Sequence, residues 1–475
     1  MSETIQADIC VIGAGAGGLS VAAGASQMGA RVVLFEKGAM GGDCLNVGCV
    51  PSKALLAAGH AAHSAPHAAR YGVDVDVKAV DWARVRDHVQ GVIAEIAPMD
   101  SVERYTGFGV RVVQAEARFA GPRTVEGGGL RVEAKFVVIA TGSTPAVPPI
   151  PGLDGVPFLT NETVFDLEER PRRLLILGGG PIGCELAQAH ARLGCEVVLV
   201  EAKSLLGNED AEASEVVRLS LRRDGVEIHE GAAAVHAGPS GEAGVELLLS
   251  GEAGETVLKG SHLLVAVGRR VGFEGLDLGR AGIETDERGR LKLDRRLRTT
   301  NRRVFAVGDA AGGAQFTHLA GFHAGIVIRN ALFRLPAESD PVLPRVTYTS
   351  PELASVGADE AALRERGEAF EVLRWPFAEN DRAIAERDVA GFTKLYVSPK
   401  GRILGAVVVG TGAGEIVSLY TLAIAKKLKV ADIAGLVVPY PTRAEVAKRA
   451  AGSWYVPKLF SARTRRIVRF LMRFA

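Results

Sequence analysis

Cysteine is scarce in this chain. Its 475 residues include five, Cys10, Cys44, Cys49, Cys184 and Cys195. So few, and an odd number, exclude the disulfide framework of a small secreted domain, and any disulfide here is expected to be catalytic. An excess of either charge is also missing. The 56 Lys and Arg residues nearly balance 55 Asp and Glu, for a net charge of +1, which excludes a nucleic-acid-binding polycation. With 47% hydrophobic and 23% charged residues, the chain is not of disordered composition either. Long apolar runs are absent with one exception. Ile9 to Ala30 carries no charge and is long enough to cross a bilayer. Gly13, Gly15, Gly17, Gly18, Gly24 and Gly29 interrupt it, and Glu3 and Asp8 precede it where a signal peptide would be basic. A soluble cytoplasmic protein is therefore expected, with two to four domains at roughly 150 residues each.

Glycine is what the chain has in excess. Its 57 occurrences are about 12% of the residues against a usual ~7%. Some segments must need left-handed backbone or close backbone approach to a ligand. An internal repeat locates two of them. Ala7 to Phe35 reads as an apolar strand, a glycine turn, a helix of small residues and a second apolar strand closed by Glu36. Its turn is Gly13-x-Gly15-x-x-Gly18. Leu174 to Val200 repeats the plan with Gly178-x-Gly180-x-x-Gly183 and Glu201, every landmark displaced by 165 residues. Each unit is a βαβ dinucleotide-binding fingerprint. The first glycine makes the tight turn, the second admits a pyrophosphate to the backbone, and the third lets helix pack on strand, while the closing acid accepts from ribose hydroxyls. Two such sites imply two dinucleotides exchanging electrons. Further strands end in Ala140-Thr141-Gly142, Gly268-Arg269 and Gly308-Asp309. The region from about 340 to 455 alternates strands (Glu371 to Trp375, Phe392 to Val397, Ile403 to Val409) with helices (Ala413 to Lys427, Thr442 to Ala451) and has no nucleotide signature.

Gly41-Gly42-Asp43-Cys44-Leu45-Asn46-Val47-Gly48-Cys49-Val50-Pro51-Ser52-Lys53 follows the first unit. Five helical residues separate Cα atoms by about 8 to 9 Å, more than the ~7 Å a disulfide spans. A bridge from Cys44 to Cys49 thus needs a distorted turn, which Asn46 and Gly48 can supply. Two inert thiols, or a metal site completed by His60, His63 and His67, are the alternatives.

These residues together resemble the flavin-dependent pyridine nucleotide-disulfide oxidoreductases, a family that includes dihydrolipoamide dehydrogenase, glutathione reductase and mercuric reductase. The resemblance runs in order from about residue 5 to 455. It implies an α/β fold with two Rossmann-like dinucleotide-binding domains and a C-terminal α+β dimerisation domain. The expected boundaries are 1–150 and 273–338 for the FAD-binding domain, 151–272 for the NAD(P)-binding domain, 339–455 for dimerisation, and 456–475 for a basic amphipathic tail. By the same match FAD lies on Gly13, Gly15, Gly18, Glu36, Thr141, Gly142 and Asp309, and the nicotinamide nucleotide on Gly178, Gly180, Gly183, Glu201 and Gly268. Cys49 becomes the thiol against the flavin and Cys44 the thiol that meets substrate. Lys53 approaches flavin N5, paired with Glu185. A carboxylate at Glu201 repels a 2′-phosphate and so favours NADH over NADPH, with Lys203 softening that preference.

Family members acting on thiols carry His-Pro-Thr-x-x-Glu near the C-terminus. Here the stretch is Tyr440-Pro441-Thr442-Arg443-Ala444-Glu445. A tyrosine, with its pKa near 10, cannot shuttle protons at neutral pH as the histidine does. Tyrosine at this place is similar to mercuric reductase, although the vicinal Cys-Cys near that enzyme's C-terminus has no counterpart after Cys195. Pro344-x-x-x-Tyr348-Thr349-x-Pro351-Glu352 matches the start of the dimerisation domain. Tyr440 and Glu445 are then expected to complete the partner subunit's site in a homodimer. His318 is expected to be either a neighbour of the flavin or a packed side chain, and Arg382 a solvated charge.

The resemblance thus implies an FAD enzyme passing electrons from NAD(P)H through Cys44 and Cys49 to a small disulfide, a metal ion or another small acceptor. A redox-sensing or membrane-recruited flavoprotein is the second reading. It draws on the last residues. Lys458, Arg463, Arg465, Arg466, Arg469 and Arg473 fall among them with no acid, while Ile467, Phe470, Leu471 and Phe474 recur at helical spacing. Such a helix can either lie in an anionic membrane surface, at the inner face, or pack its stripe on the dimerisation domain. Without those six cations, 50 basic residues remain against 55 acidic.

Overall fold

The computed structural model describes residues 3–241, 244–252 and 254–474. The uncharged run from Ile9 is a strand end, a turn and a helix. Strand β1 (Glu3–Ile12), helix α1 (Ala16–Gln27) and strand β2 (Val32–Glu36) form the first βαβ unit. Among the described residues no helix is long and apolar enough to cross a membrane. β1 is longer than its apolar core suggests because its polar first half pairs in parallel with Leu130–Ile139, from Glu3 with Leu130 to Ile12 with Ile139. Parallel neighbours Val110–Gln114 beyond β2, and Val304–Ala306 beside Leu130–Ile139, extend the sheet. Because Val304–Ala306 covers only the last third of that long strand, its first part pairs instead with antiparallel Thr124–Gly127.

The second unit has the same plan. Strand Arg173–Leu177, helix Pro181–Arg192 and strand Glu196–Glu201 lie in a parallel sheet with Glu227–Glu230 and His262–Val265 at its edges. The 165-residue displacement survives in the register. Ile9 pairs with Val32 and Leu174 with Val197. Gly13 N donates to the Phe35 carbonyl at 2.8 Å, and Gly178 N to the Val200 carbonyl at 2.8 Å. A second correspondence, not visible as a repeat in the sequence, relates the third strands. Ala140 N donates to Ile12 O and Ala266 N to Leu177 O, both at 2.8 Å. Ala140-Thr141-Gly142 and Ala266-Val267-Gly268 are thus the same turn in two domains, with Gly142 at φ 71° and Gly268 at φ 128°.

An antiparallel five-stranded sheet, Arg345–Thr347, Glu352–Gly357, Ile403–Gly410, Phe392–Val397 and Glu371–Pro376 in spatial order, forms the third layer. Its core is built from Leu395, Val408, Ala406 and the fully buried Tyr420 of the helix Ala413–Ala425. The next predicted helix starts at Glu445 instead of Thr442. Asn380 Nδ2 takes the Thr442 carbonyl at 3.0 Å, and Pro441 in the preceding cis peptide offers no donor.

Candidate active site

Both glycine turns open onto one cavity of about 1880 Å³, roughly twice the usual size for a single small ligand. The three glycines of each turn are required for different reasons. A Cβ at Gly18 would run into the Gly13 carbonyl, and one at Gly183 into the Gly178 carbonyl. Gly13 and Gly178 sit at φ 106° and 115°, where other residues are strained. The middle pair is different. Gly15 and Gly180 have ordinary φ values of −78° and −75°, and a Cβ on either would meet nothing within 4 Å. The fold does not need glycine there. What a methyl group would fill is the cradle at a helix N-terminus where a pyrophosphate approaches, so the residues present fit two dinucleotides.

Glu36 and Glu201 act on these turns directly. Glu36 accepts from Ala14 N at 2.6 Å and Gly38 N at 2.7 Å, and Glu201 from Gly179 N at 2.8 Å and Lys203 N at 2.9 Å. Each carboxylate ties its strand end to the glycine turn and keeps lone pairs free toward the cavity. The sequence suggested only the ribose role. Asp309 accepts from Ser143 Oγ at 2.6 Å at the cavity wall. His318, also on that wall, is exposed; its ring stacks on Phe316 at 5.2 Å and its Nε2 lies 3.0 Å from the Pro344 carbonyl.

The redox segment is two helices with a break between them. Cys44 lies in α2 (Gly42–Asn46), and Cys49 opens α3 (Cys49–Ser64). Gly48 makes the break possible because a Cβ there would press within 2.8 Å of the Asp43 carbonyl. Asn46 Nδ2 donates to the carbonyls of Met40 and Gly42 at 3.0 and 2.9 Å. Both cysteines are free thiols in this structure. Cys49 is exposed to the cavity, whose walls still desolvate it, and Cys44, half-buried, lines the same cavity. The hydrogen bond from Cys44 is the largest influence holding the Cys49 thiol down to about 6. The Thr317 hydroxyl, 3.4 Å from Sγ, and the Lys53 cation act in the same direction. Cys49 also stands at the N-terminus of its own helix, and Thr317 at the start of the helix Thr317–Ala331, so two positive helix ends favour the thiolate. Cys44 is pushed up by the same shared proton and by burial.

Lys53 and Glu185, 132 residues apart, meet at 2.8 Å. Glu185 is buried at 5% exposure and also accepts from Tyr348 N at 2.9 Å. The Lys53 ammonium lies 4.3 Å above the Tyr348 ring, a cation–π contact that orients it. Replacing Lys53 with Met leaves Glu185 buried with one donor. Because Lys53 is partly exposed, the expected loss in a denaturant titration is about 1–2 kcal/mol. Loss of the cation also raises the Cys49 pKa above that of the parent, read from thiolate absorbance against pH.

Sequence reasoning missed a clamp on the break between the cysteines. Asn161 Nδ2 donates to the Val47 carbonyl at 3.0 Å. Arg269 pairs with Asp43, beside Cys44, and donates through Nε to Ser143 Oγ at 2.7 Å. Arg269 followed a glycine already singled out, but its partners lie more than 100 residues away. Tyr440 and Glu445 are not among the residues lining their own chain's cavity. Tyr440 is 69% exposed and donates to Asp381 at 2.8 Å, which pushes its pKa up. Glu445 pairs with Arg449. Arg382 is exposed and pairs with Glu386, just past the end of its short helix Asp381–Ala385. His63 turns to Asp224 at 3.2 Å and stacks on His67. Among the described residues no three His, Cys, Asp or Glu side chains converge as metal ligands.

The family described as pyridine nucleotide-disulphide oxidoreductase matches residues 7–324, and its dimerisation domain residues 343–451. A mercuric reductase of Streptomyces lividans is 38% identical over 452 residues, covering 94% of this chain and 95% of that one. A dihydrolipoyl dehydrogenase of Staphylococcus aureus is 36% identical over 461 residues, covering 94% and 96%. Among solved structures, the HOCl-induced flavoprotein disulfide reductase RclA from Escherichia coli superposes with a TM-score of 0.84 at 28% identity, over 94% of this chain and 99% of that one. The paired cradles, the two-thiol segment between them and this breadth of likeness lead to one conclusion: the chain belongs to the class I pyridine nucleotide-disulfide oxidoreductase family and is an FAD-dependent enzyme of that family.

Proposed function

We propose that the protein is an NADH-dependent homodimeric oxidoreductase that delivers two electrons from the Cys44–Cys49 dithiol to a small thiol-reactive acceptor, a disulfide or a soft metal ion, at a site shared between subunits. The observation that carries this reading is the arrangement at Cys49: a low-pKa thiol on a cavity onto which both cradles open, with Cys44 lining the same cavity. FAD, when bound along Gly13, Gly15, Gly18 and Asp309, supplies the two-electron relay between nicotinamide and the cysteine pair. The Lys53 cation, held by Glu185, stabilises negative charge beside Cys49.

With a disulfide acceptor the chain's own chemistry balances as two exchanges. The Cys44 sulfur, giving up its proton, attacks the acceptor disulfide, forms a mixed disulfide and releases one thiol. The Cys49 thiolate then attacks Cys44 sulfur, expels the second thiol and closes the Cys44–Cys49 bridge. NADH is favoured because the Glu201 carboxylate, braced at the end of its strand, would face a 2′-phosphate with like charge. Lys203 offers a nearby cation, so the discrimination is modest.

Tyr440 and Glu445 of the partner subunit are proposed to complete the acceptor site. A tyrosine whose hydroxyl is committed to Asp381 keeps its proton at neutral pH and does not relay protons for a dithiol substrate. Dihydrolipoamide turnover is therefore expected to be low, and Tyr440→His to raise it at least about tenfold. The test is a steady-state panel of lipoamide, glutathione disulfide, Hg(II), quinone and oxygen with NADH and NADPH. Parent turnover highest with lipoamide, or unchanged in Tyr440→His, would refute the assignment.

A further inference from the structure

Helix α4 (Ala462–Leu471), capped by Ser461 Oγ accepting from Thr464 N at 3.1 Å, buries no residue. Within this chain the apolar stripe is not packed on the dimerisation domain. Phe470, Leu471 and Phe474 are 57%, 59% and 77% exposed, with Ile467 and Val468 beside them, and Leu459 and Phe460 continue the exposed surface toward the body. At 3.6 residues per turn, Phe470, Ile467, Leu471 and Val468 share one arc, interrupted in the first turn by Arg463 and Thr464, and Phe474 follows just beyond the helix end. Arg465, Arg469 and Arg466 occupy the opposite arc, with Arg466 and Arg465 on its two borders. Among the described residues none of the tail arginines has an ion-pair partner, and the segment contains no acid. Ala475 lies outside the described residues.

A ten-residue helix is too short to be stable alone in water, so a partner must cover this face. The charge pattern selects it. Cations that border an apolar arc on both sides can extend to a plane of anionic phosphates while the arc sinks among acyl chains. The rest of the chain, 50 basic against 55 acidic residues, carries no such excess positive charge. Lys458, 3.7 Å above the Trp454 ring, places a cation and an aromatic ring together where the tail joins the body. We propose that residues 458–474 dock the protein onto the surface of an anionic phospholipid bilayer, with the helix lying in the plane of the interface. This goes beyond the oxidoreductase reading and does not depend on the acceptor.

The experiment is sedimentation of full-length, flavin-loaded protein with vesicles of phosphatidylglycerol and phosphatidylcholine, or of phosphatidylcholine alone, at low and high salt. Expected is pelleting with the anionic vesicles only, weakened by salt, and reduced about fivefold for each arginine replaced in the series Arg465→Gln, Arg469→Gln, Arg473→Gln. Phe470→Ser with Phe474→Ser should lower binding at least tenfold, while NADH turnover and subunit state in solution stay as in the parent. Equal pelleting of the parent and a truncation after Pro457 overturns the proposal. So does equal binding to neutral vesicles, or a truncation that changes subunit state when the parent binds no vesicle, which would make the tail a contact between copies.

Discussion

Cys44→Ser and Cys49→Ser are each expected to lower NADH-driven reduction of a disulfide by about 10³-fold or more, because removing one member of a unit that acts as a pair costs nearly as much as removing both. A more discriminating result comes from pH. In the reduced parent the Cys49 thiolate is expected to titrate near 6, so at pH 7 roughly nine-tenths of it is ionised where an ordinary thiol, at about 8.5, is almost wholly protonated. A hydrogen bond donated to a thiolate stabilises the charged form, so losing it raises the pKa. Cys44→Ala removes the donor and Cys44→Ser keeps one. Both variants should be inactive toward disulfides, yet the Cys49 thiolate of Cys44→Ala should titrate at higher pH than that of Cys44→Ser. The measurement is thiolate absorbance, or the long-wavelength band between the thiolate and oxidised flavin in the variants without added NADH, as pH falls. Identical titrations in the two variants would show that the Cys44 hydrogen bond does not set the Cys49 pKa.

Gly15→Ala and Gly180→Ala are expected to separate the two dinucleotide sites without disturbing the fold. Each has a backbone conformation any residue adopts and open space where the methyl group would go. Gly15→Ala should purify with little or no FAD. Gly180→Ala should retain FAD but require at least about a hundredfold more NADH, since a methyl group placed against a pyrophosphate forfeits backbone hydrogen bonds and adds a clash. Both apoproteins should melt close to the parent apoprotein. Gly18→Ala and Gly183→Ala give the contrast. There the methyl group strikes a backbone carbonyl, and overpacking of this kind costs about 1–3 kcal/mol or more. Normal NADH use by Gly180→Ala would remove Gly180 from the nicotinamide site.

The repeated glycine turns, their offset of 165 residues and the two-thiol segment were legible because each is local. A strand, a turn and a helix that must cradle a phosphate constrain consecutive residues, and the constraint reads directly from their types. Less was legible where partners are distant. Asn161 and Arg269 looked like ordinary loop residues, yet one holds the Val47 carbonyl between the cysteines and the other joins Asp43 to Ser143. Equivalence of Gly142 and Gly268 was hidden because the redox helices and further strands are inserted between β2 and Leu130–Ile139, which changes the spacing to 126 residues. The tail had an amphipathic pattern but no address, because periodicity tells which side chains share a face and not whether anything covers that face.

By itself the sequence determined the family and the order of the units, and it singled out the segment from Gly41 to Lys53 with its two cysteines, since these depend on residue types at short spacings. Only the tertiary structure decided that Glu36 and Glu201 brace the glycine turns, that the Glu185 carboxylate is buried and also takes Tyr348 N, and that Asn161 and Arg269 clamp the break between the cysteines. The physical reason is that hydrogen bonds, burial and charge act through distances in space, and folding brings together residues whose separation along the chain carries no sign of it.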